Sequence, residues 1–85
     1  MTKPTKEEIK NYQNQVFEKY NYTCVRCLEK GKVVHELVPK SLNPKWYTDV
    51  DNGVCLCIKC HEWAHKFGAK ISRPILQDYI NAFTF

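Results

Sequence analysis

The sequence predicts a small α+β domain whose core is stapled by a metal ion, and three observations carry that expectation. Two Cys-x-x-Cys pairs, Cys24-Val-Arg-Cys27 and Cys57-Ile-Lys-Cys60, have the spacing of zinc knuckles. Between them, Lys32 to Val38 is rich in β-branched residues and halts at Pro39, and Gly53 to Leu56 follows a turn signal at Asp51-Asn52-Gly53. On either side of this core, apolar residues recur at helical spacing. With 85 residues the chain is a small domain that buries too little surface to be comfortable without help, so a metal staple is the expected remedy. The whole chain, 1–85, reads as one domain: an N-terminal helical brace over 1–22, the knuckle-and-strand core over 23–68, and a C-terminal helix over 69–85.

The brace starts at Thr5-Lys-Glu-Glu8, which has the form of a capping box. Ile9, Tyr12, Val16, Phe17 and Tyr20 then form one apolar stripe. The first knuckle lies between Asn21 and Lys30, and Lys30-Gly31 turns the chain into the first strand, read as Lys32 to Val38. Pro39 to Asp51 has two prolines, Trp46, Tyr47 and no clear period, so it is expected to be a loop carrying Lys40 and Lys45. A short antiparallel return strand, Gly53 to Leu56, leads to the second knuckle. A helix is expected from about His61 to Phe67, with Gly68 as its stop. A last helix starts at Ser72-Arg-Pro74, with Ile75, Leu76, Tyr79, Ile80 and Phe83 as its buried face.

Apolar residues make up 44% of the chain and aromatics 13%, which fits an ordered core rather than a disordered chain. The formal charge of +4 and an isoelectric point near 8.8 lean toward an acidic partner such as nucleic acid. No apolar run approaches the roughly 20 residues of a membrane span, and Met1-Thr-Lys-Pro-Thr-Lys lacks the apolar stretch of a signal peptide. An intracellular, cytoplasmic protein with no membrane partner is expected. Four of the five cysteines fall into knuckle pairs, so in a reducing compartment metal binding is favoured over disulfides.

Cys24, Cys27, Cys57 and Cys60 together supply the four thiolates that a tetrahedral structural Zn²⁺ prefers. Cys55 is the remaining cysteine; its alternation with Leu56 points to a buried strand position, and a tetrad using it in place of Cys57 has the worse spacing. His61 and His65 stand one helical turn apart, where two imidazoles can share one cation.

His35, Asn52, His61 and His65 remain, and here the sequence resembles the HNH endonuclease family, also called His-Me finger nucleases. The resemblance rests on Val34-His-Glu-Leu-Val-Pro39, on Asp51-Asn-Gly-Val-Cys-Leu-Cys-Ile-Lys-Cys-His61, and on His65, and covers roughly Cys24 to Phe67. It implies a ββα-metal core, in which two antiparallel strands and a helix clasp one divalent cation against a DNA phosphate. It also implies that His35, His61 and His65 hold that cation (Mg²⁺, Mn²⁺, Ni²⁺ or Zn²⁺), that Asn52 secures the loop backbone aiming the general base, and that the activity is hydrolysis of phosphodiester bonds by nicking or double-strand cleavage. Small free-standing members of the family often occur in phages and mobile elements. The chain departs from the family at Glu36, where a histidine usually serves as the base. Glu36 is accordingly read as the base, as an extra ligand, or as the mark of a weakened nuclease. A carboxylate with an ordinary pKa of about 4.3 is a poorer base than imidazole near neutral pH unless its surroundings raise that value.

Two other functions compete. His61-Glu62-Trp63-Ala64-His65 matches the His-Glu-x-x-His helix of zinc proteases, but no third histidine or glutamate follows it in the chain. A zinc-stapled DNA-binding or scaffold module that keeps the fold without the chemistry is the stronger rival, and Glu36 favours it. For the DNA reading, Arg26, Lys30, Lys32, Lys40, Lys45, Lys59, Lys66, Lys70 and Arg73 are candidate phosphate contacts. Such contacts confer affinity but not base recognition, so low sequence specificity is expected. A homodimer or a larger phage or host complex is compatible with this reading.

Overall fold

The first helix begins where its capping residues place it. In a computed structural model, which describes residues 4–38 and 49–83, α1 spans Lys6–Lys19, and Thr5 and Glu8 exchange both capping-box hydrogen bonds at 3.1 Å. Tyr12, Val16 and Tyr20 are buried from this helix, with Ile9 and Phe17 half-buried beside them. The chain then turns through Asn21 and Tyr22, both at positive φ, into the first knuckle.

β1 (Val33–Glu36) and β2 (Gly53–Leu56) form a two-stranded antiparallel sheet, with Val33 opposite Leu56, Val34 opposite Cys55, His35 opposite Val54 and Glu36 opposite Gly53. The first strand is shorter than the expected Lys32 to Val38 because Asn52 intercepts its end. The Asn52 carbonyl accepts from Leu37 N at 2.8 Å, and its side-chain amide takes both backbone groups of Val38. The turn signal itself forms a 3₁₀ turn, Val50–Asn52, immediately before β2. Lys40, Lys45, Trp46, Tyr47 and the rest of the expected loop up to residue 48 lie outside the described residues.

α2 (Ile58–Ala82) starts three residues before the expected His61, because Cys57 caps it: its Sγ accepts from Cys60 N at 3.4 Å. Gly68, at φ 79° and ψ 164°, breaks this helix into two arms, as expected of a stop residue, but the second arm resumes at once instead of at Ser72. Pro74 therefore sits inside the second arm, where it cannot donate to the carbonyl of Lys70. Ser72 is fully buried and its hydroxyl donates to the Gly68 carbonyl at 2.8 Å. The buried face of this arm is Ser72, Leu76, Ile80 and Phe83; Ile75 and Tyr79, expected inside, are 39% and 41% exposed. The stripe steps by four from Ser72 to Ile80 and then by three to Phe83, which leaves Ile75 and Tyr79 at its edge, partly exposed. Phe83 meets Tyr20 edge-on at 5.6 Å between ring centroids, tying the ends of the two helices together.

The sheet separates two packing faces. Gly53 and Cys55 look toward α1, where Tyr12 and Val16 press on Gly53, while His35 looks toward the first arm of α2. No helix among the described residues is long and apolar enough to cross a membrane.

Candidate metal centres

The two knuckles meet. Ligand atoms of Cys24, Cys27, Cys57 and Cys60 all lie within 4.8 Å of one another. The Cys27 and Cys57 sulfurs are 3.5 Å apart, close to the separation of about 3.8 Å that tetrahedral Zn–S bonds of about 2.3 Å impose. The thiols are free, with no disulfide among them, and four soft donors in this arrangement suit a structural metal such as zinc. The first knuckle is shaped by Cys24 N donating to Glu29 O at 2.7 Å and Leu28 N donating to Cys24 O at 2.9 Å, which puts Leu28 at a φ of 67°. Burial pushes the Cys24 thiol up, but backbone N–H groups of Cys27, Cys57 and Arg26 outweigh it and hold the group below its ordinary value. Burial dominates at Cys60 and raises its thiol, although Arg26 opposes that rise.

Arg26 was expected among the phosphate contacts. The structure instead commits its guanidinium inward: Nη1 donates to Cys60 Sγ at 3.6 Å, and the group lies 4.0 Å from the Trp63 ring centroid. A cation stacked there would offset the negative charge of four thiolates gathered on one ion. Lys59, which holds the same place in the second knuckle, is exposed, so the knuckle position alone did not signal this. Cys55 takes the expected core position; it is fully buried, and burial together with the Cys24 and Cys57 thiols pushes its own thiol up to about 11.

The second cluster joins two elements. His35 comes from β1, and His61 and His65 come from successive turns of α2, with ring centroids 5.3, 5.6 and 4.4 Å apart pairwise. Their ligand nitrogens also fall within 4.8 Å of one another, so the three can hold a metal ion. Nε2 of His61 and Nε2 of His65 are 3.0 Å apart, a spacing that neighbouring ligands at about 2.1 Å from one cation reproduce. His35 is buried, His61 is half-buried and His65 exposed, so the cluster faces solvent on one side. Burial, then the imidazoles of His61 and His65, hold His35 down to about 4. Burial and His65 also lower His61, against a raising influence of Glu36 and Glu62. Both shifts favour the neutral, ligating form of the ring.

Cys60 and His61 are consecutive, so one turn of helix carries a ligand of each cluster, and His61 N donates to Cys57 O at 3.0 Å. Asn52 is buried and clamps the backbone after β1: Val38 N donates to its Oδ1 at 2.9 Å, and its Nδ2 donates to Val38 O at 3.1 Å. Glu36 is the last residue of β1 and half-buried; strand alternation directs it to the α1 face, opposite His35. His35 joins the His61 and His65 pair from upstream, so a third candidate ligand is present although none follows His65 in the chain. A cavity of about 360 Å³ beside Asn52, lined by Leu37, Val38, Asp49, Asp51, Arg73 and Gln77, includes none of the three histidines. No protein-family model, curated protein or solved structure matches this chain.

Proposed function

We propose that the chain is a metal-dependent DNA endonuclease of the HNH type, hydrolysing phosphodiester bonds with low intrinsic sequence specificity. The observation that carries this reading is the convergence of His35, His61 and His65 on one point, beside a separate four-cysteine cluster that shares the same helical turn. A divalent cation, if held by the imidazoles of His35, His61 and His65, would supply positive charge for the phosphate and for the departing 3′ oxygen. The chain's own residues do the rest. His35, pinned in the sheet, fixes one ligand direction, and the turn from His61 to His65 fixes the other two. Asn52 holds Leu37 and Val38 and so sets the end of β1, where Glu36 stands.

In the proposed reaction Glu36 accepts a proton from the attacking water as its oxygen bonds to phosphorus. The bond from phosphorus to the 3′ oxygen breaks, and that oxygen takes a proton from solvent. Lys30, Lys32, Lys59, Lys66, Lys70 and Arg73 are exposed and suited to backbone phosphates. Incubating supercoiled plasmid with the protein and Mg²⁺, Mn²⁺, Ni²⁺ or Zn²⁺ tests the proposal. Relaxed or linear product is expected with at least one cation, and none with any of the four overturns it.

A second reading, a zinc-stapled DNA-binding or scaffold module without catalysis, is favoured by one observation: Glu36 leaves the sheet on the face opposite His35. Metal analysis separates the two, because the module needs one tight zinc per chain and no second, weaker site. The protease reading regains a third ligand in His35. Casein offered beside plasmid tests it, with casein left intact under the endonuclease reading.

A further inference from the structure

Tyr12 belongs to the brace helix, which contributed no candidate site residue. It is 4% exposed, and its hydroxyl is buried with no hydrogen-bond partner among the described residues. A phenylalanine fills the same space without stranding a donor, so the hydroxyl calls for an explanation. Its position supplies one. A Cβ built on Gly53 would lie 2.6 Å from Tyr12 Oη and 2.7 Å from Val16 Cγ2. The phenol therefore fills the side-chain slot that Gly53 leaves empty. Across the sheet from Gly53 is Glu36, and side chains of directly paired residues leave on the same face with Cβ atoms about 5 Å apart. Tyr12 Oη thus stands beside the Glu36 side chain.

The electrostatics agree with this placement. Burial, then the Glu36 and Asp49 charges, push the Tyr12 phenol far above its ordinary value, so it remains a protonated donor at neutral pH. Glu36 thus stands on the α1 face of the sheet with the phenol, one residue along β1 from His35 on the other face. We propose that Tyr12 is a positioning residue for Glu36: its O–H donates to a carboxylate oxygen once the Glu36 side chain turns to meet it, and so fixes the direction of the other oxygen. Gly53 is the residue that admits the phenol. This inference rests on the proposed role of Glu36 as the proton acceptor.

Two measurements test it separately. The first is the ¹³Cζ resonance of labelled Tyr12 in wild type, Glu36→Gln and Asp49→Asn. A shift in Glu36→Gln and none in Asp49→Asn is expected, since the Asp49 carboxylate already accepts from Asp51 N at 3.0 Å. A Tyr12 resonance unmoved by Glu36→Gln overturns the contact. The second is plasmid nicking by Tyr12→Phe, which keeps the packing. A loss in kcat of roughly 10-fold with unchanged KM is expected, and no further loss when Tyr12→Phe is added to Glu36→Gln. Full kcat in Tyr12→Phe overturns the positioning role. If wild type nicks no plasmid, the catalytic part falls with the endonuclease reading, while the resonance still decides the contact.

Discussion

Three side chains show how neighbours redirect residues that look ordinary in the sequence. Asn52 beside Gly53 reads as a turn former, yet its amide acts as a two-point clamp on Val38, and its carbonyl holds Leu37. Replacing it with alanine leaves a donor and an acceptor of Val38 without protein partners, so Asn52→Ala should cost about 2 kcal/mol in denaturant unfolding. His35 was legible as a candidate ligand only through its company with His61 and His65, because a lone histidine on an apolar strand is ambiguous. Its burial makes a pH prediction. The unfolded chain protonates His35 below about 6.5 and the folded chain only below about 4, so between those values the unfolded state holds the extra proton. Stability is therefore present above the upper value and is lost as pH falls through the window. With zinc on the four cysteines and the histidines metal-free, about 2 kcal/mol should be lost between pH 7 and pH 5. Denaturant midpoints at the two pH values check this, and His35→Gln should flatten the difference. Arg26 went the other way: its positive charge suggested phosphate, whereas Cys60 and Trp63 take it inward. Charge alone does not reveal which partner lies within reach once the knuckles close.

At the scale of elements, local signals were legible wherever the chain's near neighbours decide the structure. The capping box, the β-branched strand and the Gly68 break all lie in such stretches. The shortfalls arise where tertiary contacts decide. Cysteine is not a usual helix cap, so the earlier start of α2 depends on the Cys57 thiol being held in the cluster. The place of Ile75 and Tyr79 at the edge of the buried stripe follows from the phase that Ser72 and Leu76 adopt against the core. The knuckle element carries its own prediction. Leu28 follows Cys27 at a φ of 67° and is 68% exposed, so it bears the cost of a left-handed backbone with little packing in return. Glycine adopts that conformation without steric cost, although it gives the unfolded chain more freedom. Leu28→Gly should therefore stabilise the zinc-loaded protein by about 1 kcal/mol, read as a raised denaturant midpoint.

For the whole molecule, the four-cysteine cluster joins parts that are far apart in the chain. Cys24 and Cys27 come from the first knuckle, while Cys57 and Cys60 open α2, and the same turn delivers His61 to the second cluster. Binding energy at a four-cysteine site of this kind is folding energy. Stripping the metal with a strong chelator should therefore abolish cooperative unfolding and loosen the histidine cluster as well, and circular dichroism with and without zinc restored will show it. The α+β architecture was legible because two knuckles, two strands and two helical stripes agree with one another. The chemistry was legible only as a resemblance, and Glu36 remains the position on which that resemblance turns. The most direct test of the central claim compares nicking of supercoiled plasmid by wild type and by His61→Ala under Mg²⁺, Mn²⁺, Ni²⁺ and Zn²⁺, with folding of both checked first. The account predicts cleavage by wild type and at least a roughly 100-fold loss in His61→Ala under the best cation. Equal rates in the two proteins would contradict it.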